Sequence, residues 1–256
     1  MAGYLKFITI NGPLALMVLF FGLAFLLLPA ADVTGRETIV FSGYTWETKH
    51  HIRSTMGPGP NYWSASGWNV RVDESGNLHL KIVENKGRWY ASEVRLDKAL
   101  GYGTYEFTVV VPDLPLDKNV VLGMFNYLDD RKEFDIEISR WRESSRTDIQ
   151  FVVQPSEQDR NIKRFPLEAR EGSKKVLSYT WTRNELHFRY EDCSNQTCSQ
   201  RELVEGWTYR GDDLPRDDLK THINLWLVDG NPPSDGEEVE VILEDFTFTA
   251  LDEDSS

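Results

Sequence analysis

Beyond residue 35, apolar side chains recur at every second position rather than every third or fourth, and this most narrows the possible folds. Successive side chains on a strand point to opposite faces, so a period of two marks a strand with one face buried. Over 77–83, Leu78, Leu80 and Ile82 alternate with His79, Lys81 and Val83. Over 104–111, Tyr105, Phe107, Val109 and Val111 share a face, with Glu106, Thr108 and Val110 on the other. Further strands are expected at 120–125, 134–138, 148–153, 176–181, 185–190, 222–228 and 239–249. Turn-forming clusters separate these runs, among them Gly57-Pro58-Gly59-Pro60, Glu74-Ser75-Gly76-Asn77 and Asn231-Pro232-Pro233-Ser234. Many short strands with no helical pattern between them predict an all-β chain, an antiparallel β-sandwich or jelly roll. No repeat or linker divides it, so one domain over 36–251 is expected, followed by a solvated acidic tail at 252–256.

The N-terminus follows a different rule. Residues 14–28 are uninterruptedly apolar or Gly, preceded by one basic residue, Lys6, and ended by Pro29-Ala30-Ala31. Such a run suits a signal peptide and is short for a full span, although Phe7, Ile8 and Ile10 extend it backwards. Residues 1–31 are therefore expected to be a signal peptide or an uncleaved membrane anchor, with the rest exported. Contact with a membrane is expected only through that segment. Cys193 and Cys198 bracket a polar loop, and in an oxidising compartment this spacing makes a disulfide staple. Asn195-Gln196-Thr197 within it is a glycosylation acceptor triplet. A formal net charge of −13 repels phosphate backbones, so no nucleic-acid partner is expected.

The sharpest chemical signal is Lys132-Glu133-Phe134-Asp135-Ile136-Glu137-Ile138. On a strand, Glu133, Asp135 and Glu137 line up on one face while Phe134, Ile136 and Ile138 point into a core. Three carboxylates in a row repel one another and lose water together, a cost usually kept for catalysis or a metal. A solvated strand face is the plainer explanation, and among 41 acidic residues one such triplet is no more than chance supplies. The apolar alternate face is what sets it apart. Two carboxyls can hydrolyse a glycosidic bond, one as nucleophile or base and one as proton donor.

The surrounding motifs resemble glycoside hydrolase family 16, the β-jelly-roll glucanases, in its lichenase-like branch. Glu133-Phe134-Asp135-Ile136-Glu137 is similar to the family's Glu-x-Asp-x-Glu signature, and Gly101-Tyr102-Gly103-Thr104-Tyr105-Glu106 resembles its "YGxYE" strand. Met124-Phe125-Asn126-Tyr127 resembles the aromatic segment before the catalytic strand. Ser92-Glu93-Val94-Arg95 looks like its Glu-x-Arg pair, and Ile223-Asn224-Leu225-Trp226 like its Asn-Leu-Trp strand. The resemblance implies a concanavalin A-like lectin/glucanase jelly roll. It implies Glu133 as nucleophile, Asp135 as assistant and Glu137 as general acid/base of a retaining endo-β-glycosidase. Glu93, Arg95, Asn224 and Trp226 would contact a β-linked polysaccharide or oligosaccharide, and Glu137 would carry a raised pKa. Two departures stand out: Arg131 occupies the position of a lichenase Trp, and Val152 and Gln154 replace polar and aromatic contacts. The resemblance thus reaches the catalytic row and stops short of mixed-linkage glucan specificity.

Trp63, Trp68, Trp89, Trp141 and Trp207 lie in or beside polar loops, where an indole can carry a sugar ring, although core packing is the commoner role of any one of them. Trp181, inside an apolar strand, is expected in the core. His50-His51 reads as a solvated basic loop rather than a metal site. No cofactor is expected; a structural Ca²⁺ would suit the acidity, but no Asp-rich ligand loop indicates one. A non-catalytic glycan-binding module on the same fold remains the alternative to an enzyme, and a transglycosylase the alternative to a hydrolase.

Overall fold

The computed structural model describes residues 37–110, 116–142, 148–167, 174–195, 197–216 and 218–251. The apolar segment at 1–31 and the tail at 252–256 lie outside the described residues. Among the described residues seventeen strands, numbered here in chain order, make two antiparallel sheets and a small rim. The cleft sheet runs β1 (Thr38–Phe41), β2 (Tyr44–Thr48), β7 (Arg88–Leu96), β16 (Lys220–Leu227), β9 (Val120–Asp129), β10 (Lys132–Ile138), β11 (Ile149–Val153), β12 (Ile162–Phe165). The backing sheet runs β5 (Val70–Val72), β6 (Leu78–Asn85), β17 (Val239–Ala250), β8 (Gly103–Val110), β13 (Lys175–Trp181), β14 (Leu186–Cys193), β15 (Arg201–Tyr209). β3 (His51–Met56) and β4 (Asn61–Trp63) form the rim, with β4 parallel to β7.

The inward faces of both sheets supply one core, in which the alternation read from the sequence is visible residue by residue. Leu78, Leu80 and Ile82 are fully buried, as are Tyr105, Phe107 and Val109. Phe134, on the inner face of β10, meets Tyr179 of the backing sheet edge-on at 5.0 Å. Phe151 of β11 stacks on Phe188 at 5.0 Å. Each ring removes enough apolar surface from water to contribute roughly 2–3 kcal/mol, so the strand carrying the carboxylates is anchored from beneath.

The strands expected from alternation are all present, two of them running well past the ends of their patterns. The run expected at 120–125 continues to Asp129, because Asn126 stays on the buried face by accepting a 2.9 Å hydrogen bond from the Tyr179 hydroxyl. The run expected at 185–190 continues to Cys193 through a bulge after Tyr190. Strands β1 to β5, β12 and β15 are too short, too polar or too two-sided to announce themselves by period. Trp181 lies fully in the core, as expected. Cys193 and Cys198 are joined by a disulfide that closes the loop leading from β14 towards β15.

Candidate active site

Cross-strand register builds the site. One row runs Glu93, Asn224, Gly123, Glu137, Gln150, Arg164 across β7, β16, β9, β10, β11 and β12. The row beside it runs Arg95, His222, Phe125, Asp135, Val152, Ile162 across the same strands. A third pairs Lys220 with Tyr127 and Tyr127 with Glu133. Phe134, Ile136 and Ile138 occupy the buried face, so Glu133, Asp135 and Glu137 project outward into a cleft of about 800 Å³. Glu93, Arg95, Asn224 and Trp226 line the same cleft.

Asp135 is buried and Glu133 and Glu137 are half-buried, and this loss of water dominates the electrostatics of the row. Burial pushes Glu133 up to about 7, helped by the charges of Asp130 and Glu93 and opposed by a hydrogen bond with Asp135. Burial pushes Glu137 up to about 7 as well; Glu133 adds to the rise, while Gln150 and Arg164 oppose it. Asp135 is raised well above the ordinary carboxylate range by burial and by the glutamates on either side. A raised pKa for Glu137 is accompanied by an equally raised one for Glu133, because both sit on the same desolvated face. What separates them is their partners: Asp135 touches Glu133, and the Gln150 side-chain amide donates to Glu137 Oε2.

The opposite wall is charged and internally paired. Glu93 is buried between Lys49 Nζ at 2.7 Å and His222 Nδ1 at 3.0 Å. Burial would raise its pKa, but the contacts with His222 and Lys49 more than offset that and hold it below the usual range. His222 is lowered by burial despite Glu93, and its ring stacks on Phe125 at 4.9 Å. Lys49 also donates to the Gly57 carbonyl at 2.7 Å and lies 3.9 Å over the Trp63 ring. Arg95 pairs with Glu47 on β2. Asn224 is 2% exposed and its Oδ1 has no hydrogen-bond partner, as is true of Asp135 Oδ2. Both residues line the cleft, and an unpartnered buried polar atom costs free energy to keep.

Trp226 packs against Trp141 at 5.9 Å, and a second apolar cluster joins it to the buried Trp63. Of the other candidate tryptophans, Trp68 is 80% exposed, while Trp89 and Trp207 pack partly against the main core. His50 is an exposed loop residue, as expected, whereas His51 opens β3; both line the cleft mouth with Met56. Arg131 occupies the exposed turn between β9 and β10, where its N–H donates to Asp129 Oδ1. Val152 lies directly opposite Asp135, and the Gln154 N–H donates to the Glu133 carbonyl at 3.0 Å. Lys49, Gln150, Arg164 and His222 carried no signal in the sequence; Gln150, Arg164 and His222 reach the site through strand pairing, and Lys49 through its ion pair with Glu93. Among the described residues, no group of three or more His, Cys, Asp or Glu side chains is disposed to hold a metal ion.

Solved structures share this architecture. A Bacillus licheniformis β-glucanase aligns at 18% identity with a TM-score of 0.59, over 80% of this chain and 92% of that one. A glycoside hydrolase family 16 endo-glucanase from Bacteroides ovatus aligns at 13% identity with a TM-score of 0.58, over 80% and 94%. A pseudo β-1,3-glucanase of Mycobacterium tuberculosis aligns at 16% identity with a TM-score of 0.60, over 81% and 91%. No family model and no curated protein matches the sequence. Fold and cleft together define an all-β jelly-roll protein with a carboxylate-lined groove across one sheet. The jelly roll is the one these glucanase structures adopt.

Proposed function

We propose that this protein is a retaining endo-β-glycosidase acting on an exported or environmental β-linked polysaccharide. The observation that carries this reading is the carboxylate row of β10, seated over a fully buried apolar face and lining the cleft with all three acids raised by burial. The likeness of the fold to β-glucanase structures supports it. Glu137, protonated when substrate arrives, gives its proton to the departing glycosidic oxygen while the Glu133 carboxylate attacks the anomeric carbon. The resulting glycosyl ester is hydrolysed by water whose proton Glu137 takes back. Asp135, buried against Glu133, holds the proton that Glu133 must lose to act as nucleophile. Glu93, Arg95, Asn224 and Trp226 supply sugar contacts along the facing wall. The disulfide and the expected N-terminal signal or anchor suit work outside the cytoplasm.

The test is reducing-sugar release from β-glucans, galactans and xyloglucan by the protein and by its Glu133→Gln and Glu137→Gln variants. Both variants are expected to lose at least about 10³-fold in kcat. Azide added to Glu133→Ala should give an α-glycosyl azide, and to Glu137→Ala a β-glycosyl azide, which assigns the two roles. Glycan binding retained in all forms, with no turnover on any substrate, overturns the enzyme and leaves a glycan-binding module.

A further inference from the structure

Outside the catalytic row, the feature that carries an inference is the path leading away from Glu137 across two neighbouring strands. Gln150 lies directly opposite Glu137, and Arg164 directly opposite Gln150, so register alone sets the three side chains in line on one face. Arg164 Nε donates a 2.8 Å hydrogen bond to Gln150 Oε1. The other end of the same amide donates to Glu137 Oε2. Gln150 is 5% exposed, so water has little chance to replace either partner.

From this geometry we propose that Arg164 is a positioning residue that locks the Gln150 amide in one orientation, and thereby fixes the proton of Glu137 on Oε1. This rests on the glycosidase reading for its consequence but not for its test. An amide side chain has a donor end and an acceptor end of nearly equal shape, and nothing in its own geometry prefers one way round. A guanidinium has donors only. With Arg164 in place, Gln150 must turn Oε1 towards it, so its NH₂ meets Glu137. That NH₂ occupies Oε2, and a proton on Glu137 is confined to Oε1, the oxygen left for the cleft. A donor to the carboxylate also favours its ionised form. Without Arg164 the amide is free to flip and accept from a protonated Glu137, which favours the acid form and turns the proton away from the cleft.

Other charged groups facing Glu137 are accounted for. On its own strand Asp135 and then Glu133 precede it on the same face, both lining the cleft. β9 presents only Gly123 and Phe125 beside it, and Glu93 on β7, two strands further, is already paired with Lys49 and His222. Arg164 is the cation that reaches it from the other side.

The experiment is a ¹³C-carboxyl NMR titration of Glu137 in the full protein, its signal identified by its loss in Glu137→Gln. Arg164→Met keeps the side-chain stem at an exposed position and removes the donors; Arg164→Lys keeps a donor-only cation. Arg164→Met is expected to raise the Glu137 midpoint by about 1, Arg164→Lys to restore most of the difference, and Gln150→Leu to abolish the effect of Arg164→Met. An unchanged midpoint in Arg164→Met overturns the inference. So does a rise of the same size in the Gln150→Leu background, which would mean that Arg164 acts through space as a charge and not through the amide. Where glycan turnover is present, the basic limb of kcat/KM should move upward with the midpoint. A midpoint that moves in a protein turning over no glycan keeps the relay and discards the glycosidase.

Discussion

At the scale of single residues, the cleft is defined as much by what is omitted as by what is present. Gly123 sits between Asn224 and Glu137 in the central row, and a Cβ there would lie 2.6 Å from Asn224 Oδ1. Only a hydrogen at this position lets the amide lie flat across the cleft floor with its oxygen unpartnered. Gly123→Ala is therefore expected to push Asn224 off the floor. Oligosaccharide affinity, measured by calorimetry, should fall by about tenfold, the equivalent of one lost hydrogen bond. Crowding in a well-packed sheet should cost about 1–3 kcal/mol of stability, read from denaturant midpoints. Adding Asn224→Ala to Gly123→Ala should recover the stability and leave the affinity low. Recovery of both would show that Asn224 makes no sugar contact.

At the scale of elements, the two ends of the sandwich do different work. The disulfide sits at the far end of β14 in the backing sheet, in a strand whose neighbours β13 and β15 do not line the cleft. Opening a loop of this small size should cost about 2 kcal/mol through added freedom of the unfolded chain. Cys198→Ser, or treatment with a reductant, is thus expected to lower the melting temperature and leave kcat/KM unchanged. A loss of activity at temperatures where the protein stays folded would tie this loop to the cleft. The strands themselves explain what could be read beforehand. From Glu133 onward β10 has one apolar and one acidic face, so period two exposed both its existence and its chemistry. β7 was legible as a motif and not as a strand, because its outward face lines a buried cleft and both of its faces are therefore shielded. β12, only four residues long, has no period to detect, yet it delivers Arg164. Gln150 was hidden differently: its importance comes from lying opposite Glu137, and which strand pairs with which is a property of topology that local alternation does not contain. The rim strands β3 and β4 owe their existence to contacts with each other and with β7. That is why His51, the first residue of β3, read as a loop.

At the scale of the whole molecule, the cleft is held at a cost that depends on pH. Glu133 and Glu137 are each raised from an ordinary value near 4.5 to about 7, and Asp135 is raised with them. A carboxyl whose folded pKa exceeds its unfolded one binds its proton more tightly in the native state. Its contribution to stability is whole below the unfolded pKa and is lost as pH rises through the folded one. From this row alone, stability should decline between about pH 5 and 8. Two groups on the facing wall run the other way. Glu93 is lowered, so its contribution is present above its unfolded pKa and disappears only as pH falls through the folded value. His222 is lowered from 6.5, so its contribution is complete above that value and is lost as pH falls. Of these two only His222 titrates near neutrality, against three carboxyls of the row, so the row should prevail in the neutral window. Replacing one of its carboxyls with a neutral isostere should isolate it. Glu137→Gln is expected to match the parent protein near pH 5 and to exceed it near pH 8 by about 1–3 kcal/mol in denaturant unfolding. Glu133 and Asp135 readjust their protons when their neighbour no longer ionises, which offsets part of the gain. The variant that gains this stability is also the one expected to lose turnover, since desolvation both destabilises the ionised row and keeps a proton on Glu137 at neutral pH. Equal stability of the two proteins at both pH values would mean that water reaches Glu137 freely, and the desolvated proton donor on which the proposed mechanism depends would have to be abandoned.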